Sequence, residues 1–204
     1  MNHRAIIDAG PALNFFSVNK QRLLISVLGP LSTPETVAGE ILRKAQREHR
    51  FSVSAAVYGR LIPTWLEVLS DDVTDELAIV VNRISGLPMV QRKLQAKDLG
   101  ETMVVAHAVV AAEAGADVVV LIDDAVGASI ATAEKRRLER RRNQGVAVGS
   151  IVLASTVTVL ERAAGGPYLQ DRATMQGLYR RLRQLDDGLV PIEKTNLMTS
   201  DVWR

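Results

Sequence analysis

The sequence predicts an α/β protein of three layers, with a mainly parallel sheet between two layers of helices and an added helical tail at the C-terminus. Short β-branched runs at residues 4–7 and 118–122 alternate with helix-length segments, and each run ends directly in aspartate. The second run is apolar without interruption, as in strands that are buried on both faces of a parallel sheet. The predicted order, βα…αβαβα, favours parallel strands joined by crossover helices.

The first half of the chain opens with a strand, a turn and a helix. After the strand at 4–7, Gly10-Pro11 begins a segment at 12–18 with helical spacing, and residues 23–28 form another apolar piece. A second amphipathic helix begins at or near Pro34. The segment 51–69 has an ambiguous period and fits a buried strand or a hairpin plus a short helix.

The second half gives clearer signals. The apolar spacing predicts three helices here, with a strand at 118–122 before the third and another strand at 146–148 after it; the helices are at 75–84, 99–114 and 126–143. The helix at 99–114 is apolar almost all round, which is typical of a helix covered on most sides. Gly149-Ser150 is expected to open a last helix that reaches about residue 164.

Gly165-Gly166-Pro167 is the clearest linker, so we expect a main domain at 1–164 and a C-terminal helix and tail at 165–204. The tail has apolar residues at helical spacing, namely Met175, Leu178, Tyr179, Leu182 and Leu185. That stripe favours packing within the molecule over a dimer face.

Composition excludes several functional classes. The chain has 204 residues, of which 47% are hydrophobic and 24% charged, and it has no cysteine. A disulfide scaffold, thiolate zinc sites, iron–sulfur clusters and thiol catalysis are therefore excluded. The N-terminus has no long apolar region, and no apolar run approaches the roughly 20 residues that span a bilayer. We therefore expect a cytoplasmic protein that does not contact membranes.

Carboxylates follow both strong strand signals. Asp8 ends the first run, and Asp123-Asp124 end the second. In open α/β sheets ligands bind at the carboxyl ends of the strands, and an oxygen-only cluster of this kind suits Mg²⁺ or Mn²⁺. The structural alternative is that these aspartates cap the helices that follow. One cap needs only one aspartate, so this alternative is weaker for the Asp123-Asp124 pair.

The remaining candidate acids also have structural explanations. Asp98 and Glu101 have the spacing of a capping box. Glu40 precedes Lys44 by one helical turn, which is the spacing of an exposed ion pair. His107 lies in an apolar helix and is interpreted as a partnered core histidine. The chain has no phosphate-binding loop, dinucleotide fingerprint or nucleophile elbow.

Taken together, these segments resemble the PIN-domain ribonucleases, in particular the VapC-like toxins of bacterial toxin–antitoxin pairs. The matching motifs, in order, are IIDAGPALN at 6–14, PETVAGEI at 34–41, DLGE at 98–101, the strand and Asp-Asp pair at 118–124, and Gly-Ser at 149–150. The resemblance covers about residues 4–160 and depends mainly on the order of the motifs. Ala128 and Val152 depart from the pattern, where the family commonly has arginine and a second glycine.

The resemblance implies a PIN-like fold and a metal-dependent endoribonuclease. It implies that Asp8, Glu101 and Asp123 hold Mg²⁺ or Mn²⁺, and that Glu40 and Asp124 adjust charge and water position. It further implies that Asn14 and Ser150 contact the substrate. The implied partners are RNA, a cognate antitoxin and a second copy of the chain in a homodimer.

Two other functions remain open at this point. The first is an RNA-processing or maturation nuclease on the same fold. The second is a catalytically inactive PIN-like module for RNA binding or protein interaction.

The densest basic run lies at residues 135–142. Arginine near a helix C-terminus is favoured by the helix dipole, so a solvated face explains the run. The functional hypothesis is that Arg136 and Arg140 contact phosphates of RNA. At about 1.5 Å per residue, Arg140 is roughly 24 Å from Asp124, so such contacts would position substrate without taking part in the chemistry.

Overall fold

The structure is a computed structural model that describes residues 3–203. Five parallel strands form one sheet in the order β3-β2-β1-β4-β5. The strands are β1 Ala5–Ile7, β2 Leu31–Pro34, β3 Leu66–Leu69, β4 Asp117–Leu121 and β5 Ser150–Ala154. The predicted three-layer α/β class is thus confirmed.

Helices connect all the strands and cover both faces of the sheet. They are α1 Ala9–Ser17, α2 Gln21–Leu28, α3 Glu35–Arg47, α4 Ser54–Leu61, α5 Asp75–Ser85, α6 Met89–Arg92, α7 Leu99–Glu113, α8 Ala125–Asn143, α9 Thr156–Ala163 and α10 Arg172–Leu185. Short 3-10 turns occur at His49–Phe51, Ile192–Lys194 and Asp201–Trp203. Helices α5, α7 and α8 pack together, whereas α1 contacts α2, α4 and α10.

The strand order reverses between β1 and β4. The chain adds β2 and β3 on one side of β1 and then returns to place β4 and β5 on the other side. Ile7 is registered beside Leu121, and the Asp8 amide donates to the Leu121 carbonyl at 3.0 Å. Such a reversal opens a crevice at the carboxyl ends of the two strands, where open α/β sheets bind ligands.

Two buried elements make the centre of the core. All of β1 is buried, and α7 has buried residues on all sides, as predicted for a helix covered by its neighbours. The tail belongs to the same core. The apolar face of α10 joins the main hydrophobic cluster through Met175, Leu178, Tyr179 and Leu182, and this stripe packs within the molecule as favoured above.

The segment 51–69 forms the short helix α4 and the parallel strand β3, which matches the alternative of a strand with a short helix and not the hairpin. Two other features differ from the sequence predictions, and the first is β2, which was not predicted. The last strand is β5 at Ser150–Ala154, so the prediction of a strand at 146–148 and a helix from Gly149 was wrong. Gly149 lies against the Ala116 backbone, where a Cβ would meet the carbonyl oxygen at 1.9 Å. Pairing with β4 begins at Ser150, directly after this close approach.

Within residues 3–203, no helix combines the length and apolar character needed to cross a membrane.

Candidate functional site

Six carboxylates line one cavity of about 380 Å³ at the reversal between β1 and β4. We call it the acidic cavity. Lys44 is the one basic residue in the part of its wall formed by residues 3–203. The acids are Asp8, Glu40, Glu101, Asp123, Asp124 and Asp186. The five acids expected from the sequence are therefore brought together, and one further acid joins them.

Asp8 is the most deeply buried acid of the cavity, with 5% of its surface exposed. It is the residue before α1, but its side chain makes no capping hydrogen bond. Burial, and then the charges of Glu101 and Glu40, raise the pKa of Asp8 to about 7, although nearby amides at the start of α1 act in the opposite direction. The Asp8 carboxyl group therefore keeps its proton to a much higher pH than an ordinary aspartate.

Glu40 and Glu101 reach the cavity from α3 and α7. Glu40 forms an ion pair with Lys44 at 2.7 Å, as its spacing predicted. Burial, and the charges of Glu40 and Asp124, raise the pKa of Glu101. Gly100 allows this approach, because a Cβ there would lie 3.3 Å from Glu40 Oε2 and 3.7 Å from Asp8 Oδ1.

Asp123 is held in place by the start of α9. The Thr156 amide donates to Asp123 Oδ1 at 2.7 Å, and the Thr156 hydroxyl donates to Oδ2 at 2.5 Å. Burial raises the pKa of Asp123, the Thr156 hydrogen bonds lower it, and the charge of Asp186 raises it, with a net increase. The carboxylate thus has a fixed orientation toward the cavity.

Asp124 has both roles considered from the sequence. It caps α8, because its Oδ1 accepts a hydrogen bond from the Gly127 amide at 2.9 Å, and it also lines the cavity. Gly127 leaves room for this packing. A Cβ there would lie 2.2 Å from Ile122 Cδ1 and 3.1 Å from the side chain of Glu101.

Asp186 is the acid that sequence reasoning missed. It follows α10 in the tail, and its Oδ2 accepts a hydrogen bond from Asn14 Nδ2 at 2.8 Å across 172 residues of sequence. Asn14 is 1% exposed and does not line the cavity, so the expectation that it contacts substrate is corrected: it positions Asp186. No local sequence signal marked Asp186, since it depends on this distant contact.

Other predicted residues lie elsewhere. Ser150 begins β5 and donates to Asp117 at the start of β4, so it is at the amino edge of the sheet, opposite the acidic cavity. Asp98 precedes α7 with φ +52° and makes no capping hydrogen bond, so the capping box is absent and Glu101 is the acid that lines the cavity. Arg136 and Arg140 are exposed in the C-terminal half of α8.

The donor set of the acidic cavity is oxygen only, which is what hard divalent cations prefer. In the conformation of residues 3–203, no three His, Cys, Asp or Glu side chains are grouped closely enough to hold a metal ion. Glu40 is engaged by Lys44, and Asp123 by Thr156. The chemistry of the donors fits Mg²⁺ or Mn²⁺.

Comparison of the chain with protein-family models, with curated proteins and with solved structures gives no match.

Proposed function

We propose that this protein is a metal-dependent endoribonuclease of the PIN-domain type and acts as the toxin of a toxin–antitoxin pair. The observation that carries the proposal is the convergence of six carboxylates in one cavity at the reversal of a parallel sheet. Burial, and then repulsion by the charges of Glu101 and Glu40, raise the pKa of Asp8 to about 7. A binding site for a cation removes that repulsion.

In this proposal Asp8, Glu101 and Asp123, which all line the acidic cavity, would hold Mg²⁺ or Mn²⁺. The metal would lower the pKa of an attacking water and stabilise negative charge on phosphate oxygens. Asp8 follows β1 and Glu101 is in the first turn of α7, so both are attached to buried elements. Such rigid attachment favours accurate positioning of ligands.

The other acids support these three. Thr156 orients the Asp123 carboxylate, and Asn14 orients that of Asp186, so neither acid is free to turn away. Asp124 is held by the first turn of α8, where the helix dipole favours its charge. Glu40 brings Lys44 to the cavity wall, where its ammonium group offers a partner for a substrate phosphate.

A groove of about 430 Å³ next to the acidic cavity supports RNA as the substrate. It is lined by Arg180 and Arg183 on α10, with Glu193 as its one acid among the described residues. Tyr179 connects the two features, because it lines the groove and its hydroxyl interacts electrostatically with Asp123 and Asp186. Arginine in this groove suits a phosphate of the RNA strand.

Arg136 and Arg140 are kept as more distant phosphate contacts in this proposal. Their neighbours Arg137 and Arg141 form ion pairs with Glu113, whereas Arg136 and Arg140 form none within residues 3–203. An antitoxin would inhibit by placing a positively charged side chain among the cavity acids. A homodimer is part of the proposal through the family resemblance alone.

The test is cleavage of a total RNA sample by the purified protein in Mg²⁺, in Mn²⁺ and in EDTA, followed by mapping of the new ends. We expect cleavage in either metal, none in EDTA, and products with 5′-phosphate and 3′-hydroxyl ends. Asp123→Asn should be inactive. Asp98→Asn is the matched control, because asparagine tolerates the same left-handed backbone and this position does not line the cavity. Cleavage by Asp123→Asn at the wild-type rate would refute the site.

Toxicity needs its own experiment, namely growth after induced expression with and without a small reading frame encoded upstream. Growth arrest that the upstream protein relieves supports the toxin assignment. Normal growth on expression of a protein that cleaves RNA in vitro would refute the toxin assignment and favour a maturation enzyme.

A further inference from the structure

The amino edge of the sheet carries a second groove, of about 520 Å³, at the end of the molecule opposite the acidic cavity. Its walls come from the start of α2, the end of α4, the residue before β3 and the segment after α9. We call it the arginine–aromatic groove. The side chains that define its chemistry are Gln21, Arg22, Arg60, Trp65 and Tyr168. A smaller cavity adjoins it and shares Ser26 and Tyr168, and it adds Arg162.

The charge of this groove is entirely positive. Arg22, Arg60 and Arg162 form no ion pair or side-chain hydrogen bond within residues 3–203, and no carboxylate from that part of the chain lines either cavity. The arginines that pair with Glu113 and Glu134 around α8 provide a contrast, because there each cation has an acid beside it. Uncompensated arginines that share one concave surface favour an anionic ligand.

The aromatic residues add a flat apolar surface. Trp65 is 45% exposed and Tyr168 is half-buried, and both line the same groove. Neither the Trp65 indole nitrogen nor the Tyr168 hydroxyl has a hydrogen-bond partner within residues 3–203. Exposed aromatic rings beside arginine are the combination on which nucleic-acid bases stack.

Gln21 adds a polar side chain to the wall of the groove. Its Oε1 is buried and has no hydrogen-bond partner among the described residues. A buried acceptor without a donor lowers the stability of the folded state, so native proteins rarely keep one. Gln21 lines the groove, and a turn of its side chain would bring the amide oxygen within reach of an N–H or O–H group of a ligand.

We propose that the arginine–aromatic groove binds a nucleotide, with the base against the Trp65 and Tyr168 rings and the phosphate at Arg22 and Arg60. A volume of about 520 Å³ is in the range of small-molecule sites and accommodates one nucleotide. The ligand is a free mononucleotide or one unit of an RNA strand, which present the same chemistry. This inference does not depend on nuclease activity, because the groove and the acidic cavity lie at opposite edges of the sheet.

A two-fold self-association is the main competitor, since tryptophan, tyrosine and arginine are also common at protein interfaces. In a two-fold dimer the same patch faces itself. That arrangement would bring the arginines of both copies together without an acid between them, which disfavours it and favours the nucleotide.

The test uses the fluorescence of Trp65 in EDTA, so that cleavage plays no part. The chain has two tryptophans, and Trp203→Phe removes the other one. The probes are inorganic phosphate, a nucleoside, a mononucleotide and an RNA octamer. We expect the mononucleotide or the octamer to quench Trp65 at concentrations at least about tenfold below those required for phosphate or nucleoside alone. If the mononucleotide and the octamer bind with equal affinity per site, a free nucleotide is sufficient as the ligand. If the octamer binds more tightly, the ligand is RNA.

Two variants and one control decide the assignment. Arg22→Gln with Arg60→Gln should weaken binding at least about tenfold. Arg43→Gln with Arg181→Gln removes the same charge from exposed sites outside the groove and should change affinity less than about threefold. Gln21→Met should weaken binding while leaving Tm unchanged or higher, because it removes the unpartnered acceptor. If Gln21 had only a structural role, its substitution would not weaken binding while Tm stayed unchanged or rose.

Several outcomes would overturn the proposal. They are the absence of quenching by both nucleotide probes, quenching that survives the Arg22 and Arg60 substitutions, and tighter binding of an acidic peptide than of either nucleotide probe. A dimer that is lost in Trp65→Ala, without nucleotide binding by the wild type, would assign the groove to self-association.

Discussion

Two buried aspartates at the same edge of the sheet differ in how their charge is balanced. Asp71 follows β3 by two residues and is 2% exposed, and Asp8 follows β1 directly and is 5% exposed. Asp71 Oδ2 accepts hydrogen bonds from the Thr36 amide and hydroxyl at 2.7 and 2.6 Å, and His107 Nε2 lies 2.8 Å from its Oδ1. Asp8 has acids as neighbours instead.

This difference shifts the two pKa values in opposite directions. Burial raises the pKa of Asp71, but the His107 and Thr36 hydrogen bonds outweigh burial and lower it below its ordinary value. Burial and repulsion act together on Asp8 and raise its pKa to about 7. Loss of a partner from a buried, hydrogen-bonded charge destabilises a fold, whereas an unbalanced buried acid is retained at a cost to stability and is a candidate for a functional role. His107, interpreted from the sequence as a partnered core histidine, is confirmed in that role.

The largest expected difference between the two aspartates is in RNA cleavage. Asp8→Asn should reduce Mg²⁺-dependent cleavage at least about 10³-fold, because a proposed metal ligand loses its charge. Asp71→Asn, a matched change at an equally buried site, should retain activity within about tenfold in the fraction that folds. Single-turnover rates at saturating Mg²⁺ measure both. Equal losses would show that Asp8 acts only through folding.

The second difference is in stability, where the same substitution should have opposite signs. Asp71→Asn should lower the free energy of unfolding by about 2–4 kcal/mol, because it breaks a buried, hydrogen-bonded charge pair. Asp8→Asn should raise it by up to about 4 kcal/mol at pH 8 without divalent ions, since it removes an unbalanced charge. Urea denaturation in EDTA checks both signs. Destabilisation by Asp8→Asn would mean that the neutral amide loses contacts that the acid makes.

The third difference is in pH dependence. The pKa of Asp8 is raised from 3.8 to about 7, so the folded state binds its proton more tightly and stability falls as pH rises through that window. The excess stability of Asp8→Asn over wild type should therefore grow between about pH 4 and 7. Asp71 has a lowered pKa, so its contribution is complete above 3.8 and is lost only as pH falls below that value. Parallel curves for wild type and Asp8→Asn over that window would contradict the assignment.

The smallest effect concerns Lys44, the cation beside Glu40. Lys44→Gln should change the free energy of unfolding by about 0.5 kcal/mol or less, because the pair is one helical turn apart and partly exposed. The same change should increase Mg²⁺ affinity several-fold, since it leaves Glu40 uncompensated. Calorimetric titration with Mg²⁺ measures this, and Lys20→Gln, on the loop before α2, is the control. A decrease in Mg²⁺ affinity would contradict the proposal that Glu40 lies near the metal.

The sequence predicted those parts of the fold that have a strong local signal. The β-branched runs became β1 and β4, and Asp8 and Asp123 follow them as expected. Strand β2 was missed because its sequence, Leu31–Pro34, contains two buried polar residues, Ser32 and Thr33, and ends in proline. The Thr33 hydroxyl donates to the Ile7 carbonyl, a contact between neighbouring strands that no local pattern reveals.

The candidate site shows the same division between local and long-range information. The ends of the predicted strands assigned Asp8, Asp123 and Asp124 to the site. The order of the motifs assigned Glu40 and Glu101 to it, although helical geometry alone favoured a surface or a capping role for these two residues. Ser150 was placed by motif position as if it opened a helix, but it begins a strand at the other edge. Thr156, at the start of α9, provides the hydroxyl that contacts Asp123 instead.

The hydrogen bond between Asn14 and Asp186 also bears on the order in which the protein matures. Asp186 is the last of the six cavity acids to be synthesised, and α10, which carries it, must dock on α1 before Asn14 can hold it. Closing a loop of this length costs more entropy than forming local contacts. A nascent chain that has already formed β1, β4 and their aspartates therefore still has an open, incomplete cavity, and completion of the site is coupled to burial of the last helix.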